Sequence, residues 1–127
     1  MALISLGEML QETRRRRVAA PMFDVSNNQM IRAAVETAEE EDSPVILAAV
    51  EADLAGAGLE AWAGAALRCA ARAAVPVAVM LDHATGFEWC ERCADAGFSG
   101  VMVDASMLPF EGNVAATRGV WRRIGRG

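Results

Sequence analysis

Apolar runs of strand length alternate along the chain with segments in which apolar residues recur at helical spacing. A run that is apolar at nearly every position is typical of a parallel strand that is buried on both faces. Four such runs predict strands over residues 18–25, 45–50, 75–83 and 100–104. Because single helical segments separate the runs, the pattern predicts βαβ units and a parallel sheet with right-handed crossovers.

Capping residues mark the ends of the predicted helices. Ser5 and Glu8 have the spacing of a capping box and predict a short N-terminal helix that ends near Arg16. Four more helices are predicted. The first begins after a cap at Ser26 or Asn27, and the second covers residues 59–74 beyond a loop at Gly56 and Gly58. The third begins after a second capping box at Thr85 and Glu88 and has Gly97 at its C′ position, and the fourth runs from Pro109 towards Arg123.

The repeated units predict a single α/β domain over residues 1–127. Short connections favour the strand order of a barrel, although periodicity alone leaves a doubly wound sheet open. A complete (β/α)8 barrel takes roughly 250 residues. The chain, with 127 residues, is well short of that length.

Composition narrows the classes of partner. A hydrophobic content of 54% argues against disorder, and a net charge of −5 argues against nucleic-acid binding, which needs a basic surface. No apolar run approaches the ~20 residues of a membrane span, so no membrane partner is expected. Three cysteines without a secretion signal predict a cytoplasmic protein with reduced thiols.

The candidate chemistry lies where the third and fourth predicted strands end. Asp82 and His83 close the third strand, and Asp104 closes the fourth. Neighbouring parallel strands lie about 4.8 Å apart, so the two strand ends can present three polar groups to one site. An imidazole is a good zinc ligand, and an adjacent carboxyl can transfer a proton. The alternatives stay open: Asp82 and His83 could cap the following helix, and Asp104 could cap the turn over residues 106–110.

Other motifs favour structural roles. Cys90 and Cys93 form a C-x-x-C pair inside a predicted helix, without the second pair or the context that a zinc or redox site needs, so we interpret them as packing residues. The arginines at 14–17 are favoured at a helix C-terminus by its dipole, and we interpret them as a solvated helix end. Three tryptophans on helical segments are also interpreted as packing residues: Trp62, Trp89 and Trp121.

Several segments together resemble the class II, zinc-dependent ketose-bisphosphate aldolases, which include the fructose- and tagatose-bisphosphate aldolases. The resemblance begins with Ile-Ser-Leu-Gly-Glu-Met-Leu near the N-terminus and covers essentially the whole chain in order. The matching segments are Ser-Pro-Val-Ile-Leu (43–47), Val-Pro-Val-Ala (75–78), Leu-Asp-His (81–83), Ala-Gly-Phe (96–98) and Val-Met-Val-Asp-Ala-Ser-Met-Leu-Pro-Phe (101–110).

The resemblance implies the N-terminal half of a (β/α)8 barrel, preceded by a short helix, and a homo-oligomer. It implies reversible cleavage of a ketose 1,6-bisphosphate to dihydroxyacetone phosphate and an aldehyde phosphate. By the same resemblance Asp82 is the proton donor, His83 is a ligand of the catalytic Zn²⁺, and Asp104 is an acid near a secondary metal position. Substrate-binding residues are not assigned, and the choice between fructose and tagatose bisphosphate stays open.

The chain departs from the family pattern at four positions. Asp24 replaces an Asn, Val50 a Ser, and Met80 and Met107 each a His. The first three are expected at or near carboxyl ends of strands, so the fold is better supported than an unchanged activity.

The chain also has one histidine, whereas catalytic zinc takes about three protein ligands. The family's later glutamate, two further histidines and phosphate loops would lie beyond Gly127. The first hypothesis is therefore a truncated aldolase that is inactive alone. The alternatives are a non-catalytic half-barrel that associates with itself or with a partner chain, and an unrelated α/β binder of metal or phosphate.

Overall fold

Four parallel strands in chain order form the centre of the protein. The structure, a computed structural model, describes residues 2–125. The strands are β1 (Met22–Asp24), β2 (Val45–Val50), β3 (Val77–Ala84) and β4 (Gly100–Val103), in the order β1-β2-β3-β4. All three pairings are parallel, as predicted.

Six helices surround the strands. They are α1 (Leu6–Arg16), α2 (Asn28–Glu40), α3 (Glu51–Ala57), α4 (Leu59–Arg72), α5 (Phe87–Asp95) and α6 (Phe110–Ile124). Each strand lies beside its neighbour in the chain, whereas the order reverses at one point in a doubly wound sheet. The observed order is that of one half of a (β/α)8 barrel, which confirms the predicted fold.

Local capping signals located several helix ends correctly. Ser5 and Glu8 form the reciprocal capping box of α1. The Asn27 side chain caps α2 by accepting the N–H of Met30 at 3.0 Å. Gly97 follows α5 with φ 95°, a conformation that glycine adopts without a Cβ clash. Its N–H and the next one bond back into α5 in the pattern of a Schellman motif.

The sheet is apolar on both faces. On the outer face, alternate residues of β2 and β3 pack against the helices that follow the strands; among them are Val45, Leu47, Val77 and Val79. On the inner face, Ile46, Ala48, Ala78 and Met80 form a smaller cluster with Met9 of α1. The helix α1 therefore covers the face that would point into a barrel.

Two predicted boundaries were wrong. The first strand was expected over residues 18–25, but β1 contains only Met22–Asp24. Arg17 is left-handed, and Val18 donates its N–H back to Thr13, so this segment terminates α1. The loop expected at Gly56 and Gly58 is also largely helical, because α3 continues through Gly56 and only Gly58 separates α3 from α4.

Three smaller expectations also fail. The capping box at Thr85 and Glu88 does not form, because Thr85 binds Glu51 instead and α5 begins at Phe87 without a side-chain cap. The third strand runs from Val77 through Ala84, so it begins later than expected and continues past His83. Pro109 precedes the first turn of α6 and does not lie within it.

Most of the residues interpreted as packing residues are in the core. The Trp62 ring stacks on Phe98 and its Nε1 donates to the carbonyl of Val25 at 2.6 Å. Cys90 and Cys93 are fully buried, and burial raises the pKa of the Cys93 thiol to about 12. Trp121 was misassigned, since 59% of it is exposed. Among residues 2–125, no helix has the length and apolarity that crossing a membrane requires.

A substitution of Met9 tests whether the packing of α1 on the inner face of the sheet stabilises the fold. Its side chain is 1% exposed, so Met9→Ala leaves a cavity between α1 and the sheet. We expect a loss of about 2–5 kcal/mol in the free energy of unfolding, measured by urea denaturation followed by circular dichroism. Leu10→Ala, one residue away and 50% exposed, is the control and should cost no more than about 0.5 kcal/mol. Equal losses in both variants would contradict this account.

Candidate active site

The four strands end at one edge of the sheet and bring acidic side chains together there. Asp24 ends β1 and Val50 ends β2, and Asp82 and His83 lie near the carboxyl end of β3. Asp104 directly follows β4. Carboxyl ends of parallel strands are where α/β barrels place their chemistry.

A bulge in β3 turns two consecutive side chains towards this edge. In a regular strand Asp82 and His83 would point to opposite faces. The pairing of β3 with β4 shifts register between Leu81 and Ala84, and His83 adopts a left-handed φ of 49°. Leu81 and Ala84 consequently both pack in the outer cluster although they are three residues apart. Asp82 and His83 are thereby both kept out of that cluster.

His83 is held by the carboxylate that follows the next strand. Its Nδ1 lies 2.7 Å from Oδ2 of Asp104. The other oxygen of Asp104 accepts the N–H of Ser106 at 2.9 Å. Asp104 therefore caps the turn after β4 and also contacts the histidine. With Nδ1 engaged by the carboxylate, Nε2 is the ring nitrogen left to contact a ligand.

Neighbouring charges shift the pKa values of this group. The hydrogen bond that His83 donates to the Asp104 carboxylate raises the pKa of His83, and the negative charges of Asp82, Asp104 and Asp24 act in the same direction. Hydrogen bonds from Ser106 and then from His83 hold the pKa of Asp104 well below its usual range. Burial raises the pKa of Asp24, with smaller contributions from Asp82 and Asp53.

The directions of these pKa shifts determine the pH range in which the ion pair between His83 and Asp104 stabilises the fold. Because the folded pKa of His83 is raised, its contribution to stability is complete below the unfolded pKa of about 6.5 and is lost as pH rises through the folded value. Because the pKa of Asp104 is lowered, its contribution is present above an unfolded pKa of about 3.9 and is lost as pH falls through the folded value. The pair is therefore ionised across mildly acidic pH.

Asp82 is the buried member of the group. It is 6% exposed and lies beside Val50 in the pairing of β2 with β3. Its Oδ1 is 3.9 Å from Nε2 of His83, beyond hydrogen-bond distance. A buried carboxyl beside an imidazole nitrogen has the chemistry of a general acid or base.

Sequence reasoning missed Glu51, which anchors the loop after β3. Its two carboxylate oxygens accept the Thr85 hydroxyl at 3.0 and 2.9 Å, and one of them also accepts the backbone N–H of Thr85. Glu51 follows β2 directly, and that position at a carboxyl strand end was the available signal. This contact ties the end of β2 to the residues that follow His83.

The four departures from the family pattern lie in different surroundings. Asp24 and Val50 end their strands, as expected. Met80 was wrongly placed near a strand end, because β3 continues for four residues beyond it and Met80 packs in the inner cluster. Met107 is 95% exposed in the loop before α6.

The side chains at this edge of the sheet can supply one ligand of a zinc site, but not the full set of ligands. His83 presents Nε2, and the bond from Nδ1 to a carboxylate is the support that metal-binding histidines usually have. Catalytic zinc takes three protein ligands. Between residues 2 and 125, no group of three His, Cys, Asp or Glu side chains is arranged to hold a metal.

Comparison with known proteins places the chain in a family. A model of class-II fructose-bisphosphate aldolase matches residues 4–126. The chain is 41% identical over 126 residues to the fructose-bisphosphate aldolase of Geobacillus stearothermophilus, covering 92% of this chain and 42% of that protein. It is 38% identical to the 6-phospho-5-dehydro-2-deoxy-D-gluconate aldolase of Halalkalibacterium halodurans, covering 94% of this chain and 43% of that protein.

A solved structure agrees. The YdjI aldolase from Escherichia coli K12 superposes with a TM-score of 0.89 at 26% identity, covering 94% of this chain and 47% of that one. The fold is thus that of half of an aldolase barrel. The chain belongs to the class II fructose-bisphosphate aldolase family, and it spans less than half the length of these relatives.

The chain's one histidine makes the His83–Asp104 contact directly measurable. We expect Asp104→Asn to lower the pKa of His83 towards its ordinary value, because the hydrogen bond to a carboxylate is the main cause of the upward shift. An NMR titration of the imidazole measures this pKa. Asp95→Asn, an exposed residue in the last turn of α5, removes the same charge elsewhere and should leave the pKa unchanged. Equal effects of the two substitutions would rule out a specific contact.

Proposed function

We propose that this chain supplies the acid–base group and one metal-ligand position of a class II aldolase site. The reaction is the reversible cleavage of a ketose 1,6-bisphosphate to dihydroxyacetone phosphate and an aldehyde phosphate. The observation that supports this most directly is the convergence of Asp82, His83 and Asp104 at the carboxyl edge of a half-barrel from this family.

Asp82 is proposed as the proton donor and acceptor. Its carboxyl is buried at the end of β3, where water is largely excluded and a bound substrate would lie above the strand ends. Cleavage of the bond between two hydroxyl-bearing carbons requires removal of the proton from one hydroxyl, and the reverse reaction returns it. A fixed carboxyl contributes about 10²–10⁴-fold to such a transfer.

His83 is proposed as a zinc ligand through Nε2, and Asp104 as the residue that orients its ring. Zinc, when bound, would polarise the ketone of the substrate. Both oxygens of Asp104 are engaged by His83 and Ser106, which favours an orienting role over direct contact with a second metal. The further zinc ligands and the phosphate-binding groups would have to come from polypeptide other than residues 2–125.

We also propose that the protein is located in the cytoplasm. Reduced, buried thiols at Cys90 and Cys93 are consistent with a cytoplasmic enzyme of sugar-phosphate metabolism.

The isolated chain should not cleave fructose 1,6-bisphosphate, even with added zinc, because it holds one ligand position of about three.

Activity is tested in a chimera in which this chain replaces the matching part of the Geobacillus stearothermophilus aldolase. We expect the chimera to cleave fructose 1,6-bisphosphate in a coupled assay. Asp82→Asn in the chimera should lower kcat by about 10²–10⁴-fold with little change in KM. His83→Ala should lower the zinc content of the purified protein as well as its activity.

Asp95→Asn in the same chimera controls for loss of a surface carboxylate and should retain the parent rate. The proposal fails if a folded, zinc-loaded chimera is inactive, or if Asp82→Asn keeps the parent kcat. Chelator-sensitive cleavage by the isolated chain would contradict the incomplete zinc site.

A further inference from the structure

The histidine of the candidate site has a backbone conformation that residues other than glycine adopt rarely. His83 lies within β3, yet its φ of 49° is in the left-handed region. In an extended conformation its side chain would point to the face of the sheet opposite Asp82. The left-handed backbone therefore brings the imidazole to the same side as Asp82. Because such a conformation persists only where the surrounding structure holds it, the residues on both flanks of His83 decide its geometry.

Contacts with β4 hold the chain on one flank of His83. Ala84 is fully buried and pairs with Val103 of β4. The carbonyl of Ala84 accepts the N–H of Asp104 at 2.8 Å. Packing and a bond between strands thus fix the residue that directly follows His83.

On the other side, towards β2, a side chain continues the work of the strand. The backbone pairing of β2 with β3 ends at Val50 and Asp82, where α3 begins. Glu51, the first residue of α3, accepts both the backbone N–H and the hydroxyl of Thr85. Its carboxylate therefore gives the chain beyond His83 an acceptor of the kind that a longer β2 would have given.

Glu51 is itself held in a fixed position. Three residues further along α3, Leu54 is 1% exposed and packs in the outer cluster, so the helix is anchored in the core. Hydrogen bonds to a carboxylate are also stronger than those between neutral groups. The contact between Glu51 and Thr85 can therefore hold the second residue after His83 as firmly as β4 holds the first.

We propose that Glu51 is a positioning residue of the candidate active site. Through Thr85 it keeps His83 in the left-handed conformation, which places Nε2 of the ring 3.9 Å from Oδ1 of Asp82. Asp104 binds Nδ1 and sets the rotation of the ring, whereas Glu51 sets the backbone from which the ring projects. The role in zinc binding rests on the proposed function. The role in the conformation of His83 does not.

The competing interpretation is that Glu51 serves only helix α5. Thr85 lies two residues before this helix, which begins without a side-chain cap. In that case the loss of Glu51 would lower the free energy of unfolding and leave His83 as it is. The two interpretations thus differ in the backbone of His83 and in its affinity for zinc.

NMR of the 127-residue chain tests the conformation of His83 directly. In a left-handed residue the amide and α protons lie close together, so the parent should show an intense cross-peak between these two protons. Glu51→Ala should weaken this cross-peak severalfold, because His83 relaxes towards an extended backbone. Circular dichroism first confirms that the variant is folded. A folded variant with the parent intensity would overturn the proposal, as would a weak cross-peak in the parent.

The zinc affinity of the chimera tests the link to the site. Glu51→Ala should weaken zinc binding by about tenfold, the lower end of the usual cost of losing a residue that supports a metal ligand. Competition with a chromophoric chelator measures the dissociation constant. Thr85→Val loses the hydroxyl and keeps the N–H, so its effect should be smaller. Thr85→Ser keeps both donors and should restore the parent affinity.

The two measurements separate this proposal from the proposed function. If His83→Ala leaves the zinc content of the chimera unchanged, the assignment of His83 as a ligand fails, and the cross-peak still decides whether Glu51 holds its backbone. If His83→Ala loses zinc and a folded Glu51→Ala chimera binds zinc like the parent, the positioning role is wrong and the ligand assignment stands.

Glu60→Ala is the matched control. Glu60 is an exposed glutamate in the first turn of the neighbouring helix α4. Its substitution should change neither the cross-peak of His83 nor the zinc affinity. Equal effects of Glu60→Ala and Glu51→Ala would show that the loss of any carboxylate near a helix start is the cause, and would contradict a specific role of the contact with Thr85.

Discussion

The pairing of β2 with β3 is the interaction on which the rest of the structure depends. Six residue pairs run in register, from Val45 with Val77 to Val50 with Asp82, and nearly every side chain along them is buried. Because one face packs on helices and the other on α1, neither strand can slip by one residue without exchanging two apolar layers. The fixed register sets Asp82 beside the end of β2, so the position of the site follows from the packing of the core.

Features that depend on local chemistry could be predicted from the sequence. The continuous apolar run of β2, the capping box at Ser5 and the glycine after α5 each act through residues within a few positions. Features that depend on distant partners could not. Thr85 has the pattern of a helix cap, but Glu51 binds it from 34 positions away, and a carboxylate contact outcompetes a local cap.

The candidate site divides in the same way. Residue type and strand ends were enough to name Asp82, His83 and Asp104. The bulge that turns both Asp82 and His83 towards the edge requires a left-handed histidine, and its position depends on how β3 and β4 pair. The hydrogen bond between His83 and Asp104 is a product of that bulge. The sequence therefore identifies the groups, and the pairing of the strands decides which atoms of those groups face a ligand.

The placement of Met9 against the inner face has a consequence for synthesis. Residues of the described chain pack on both faces of β2 and β3, and α1, which precedes these strands in the chain, covers the inner face. The ribosome releases α1 before the strands it covers, so the inner layer can close once β4 has emerged, and the outer layer closes when Val120 of α6 follows. Folding units of this kind form during translation, N-terminal part first. A nascent chain can thus hide its apolar sheet early, which shortens the time in which chaperones or misfolding compete for it.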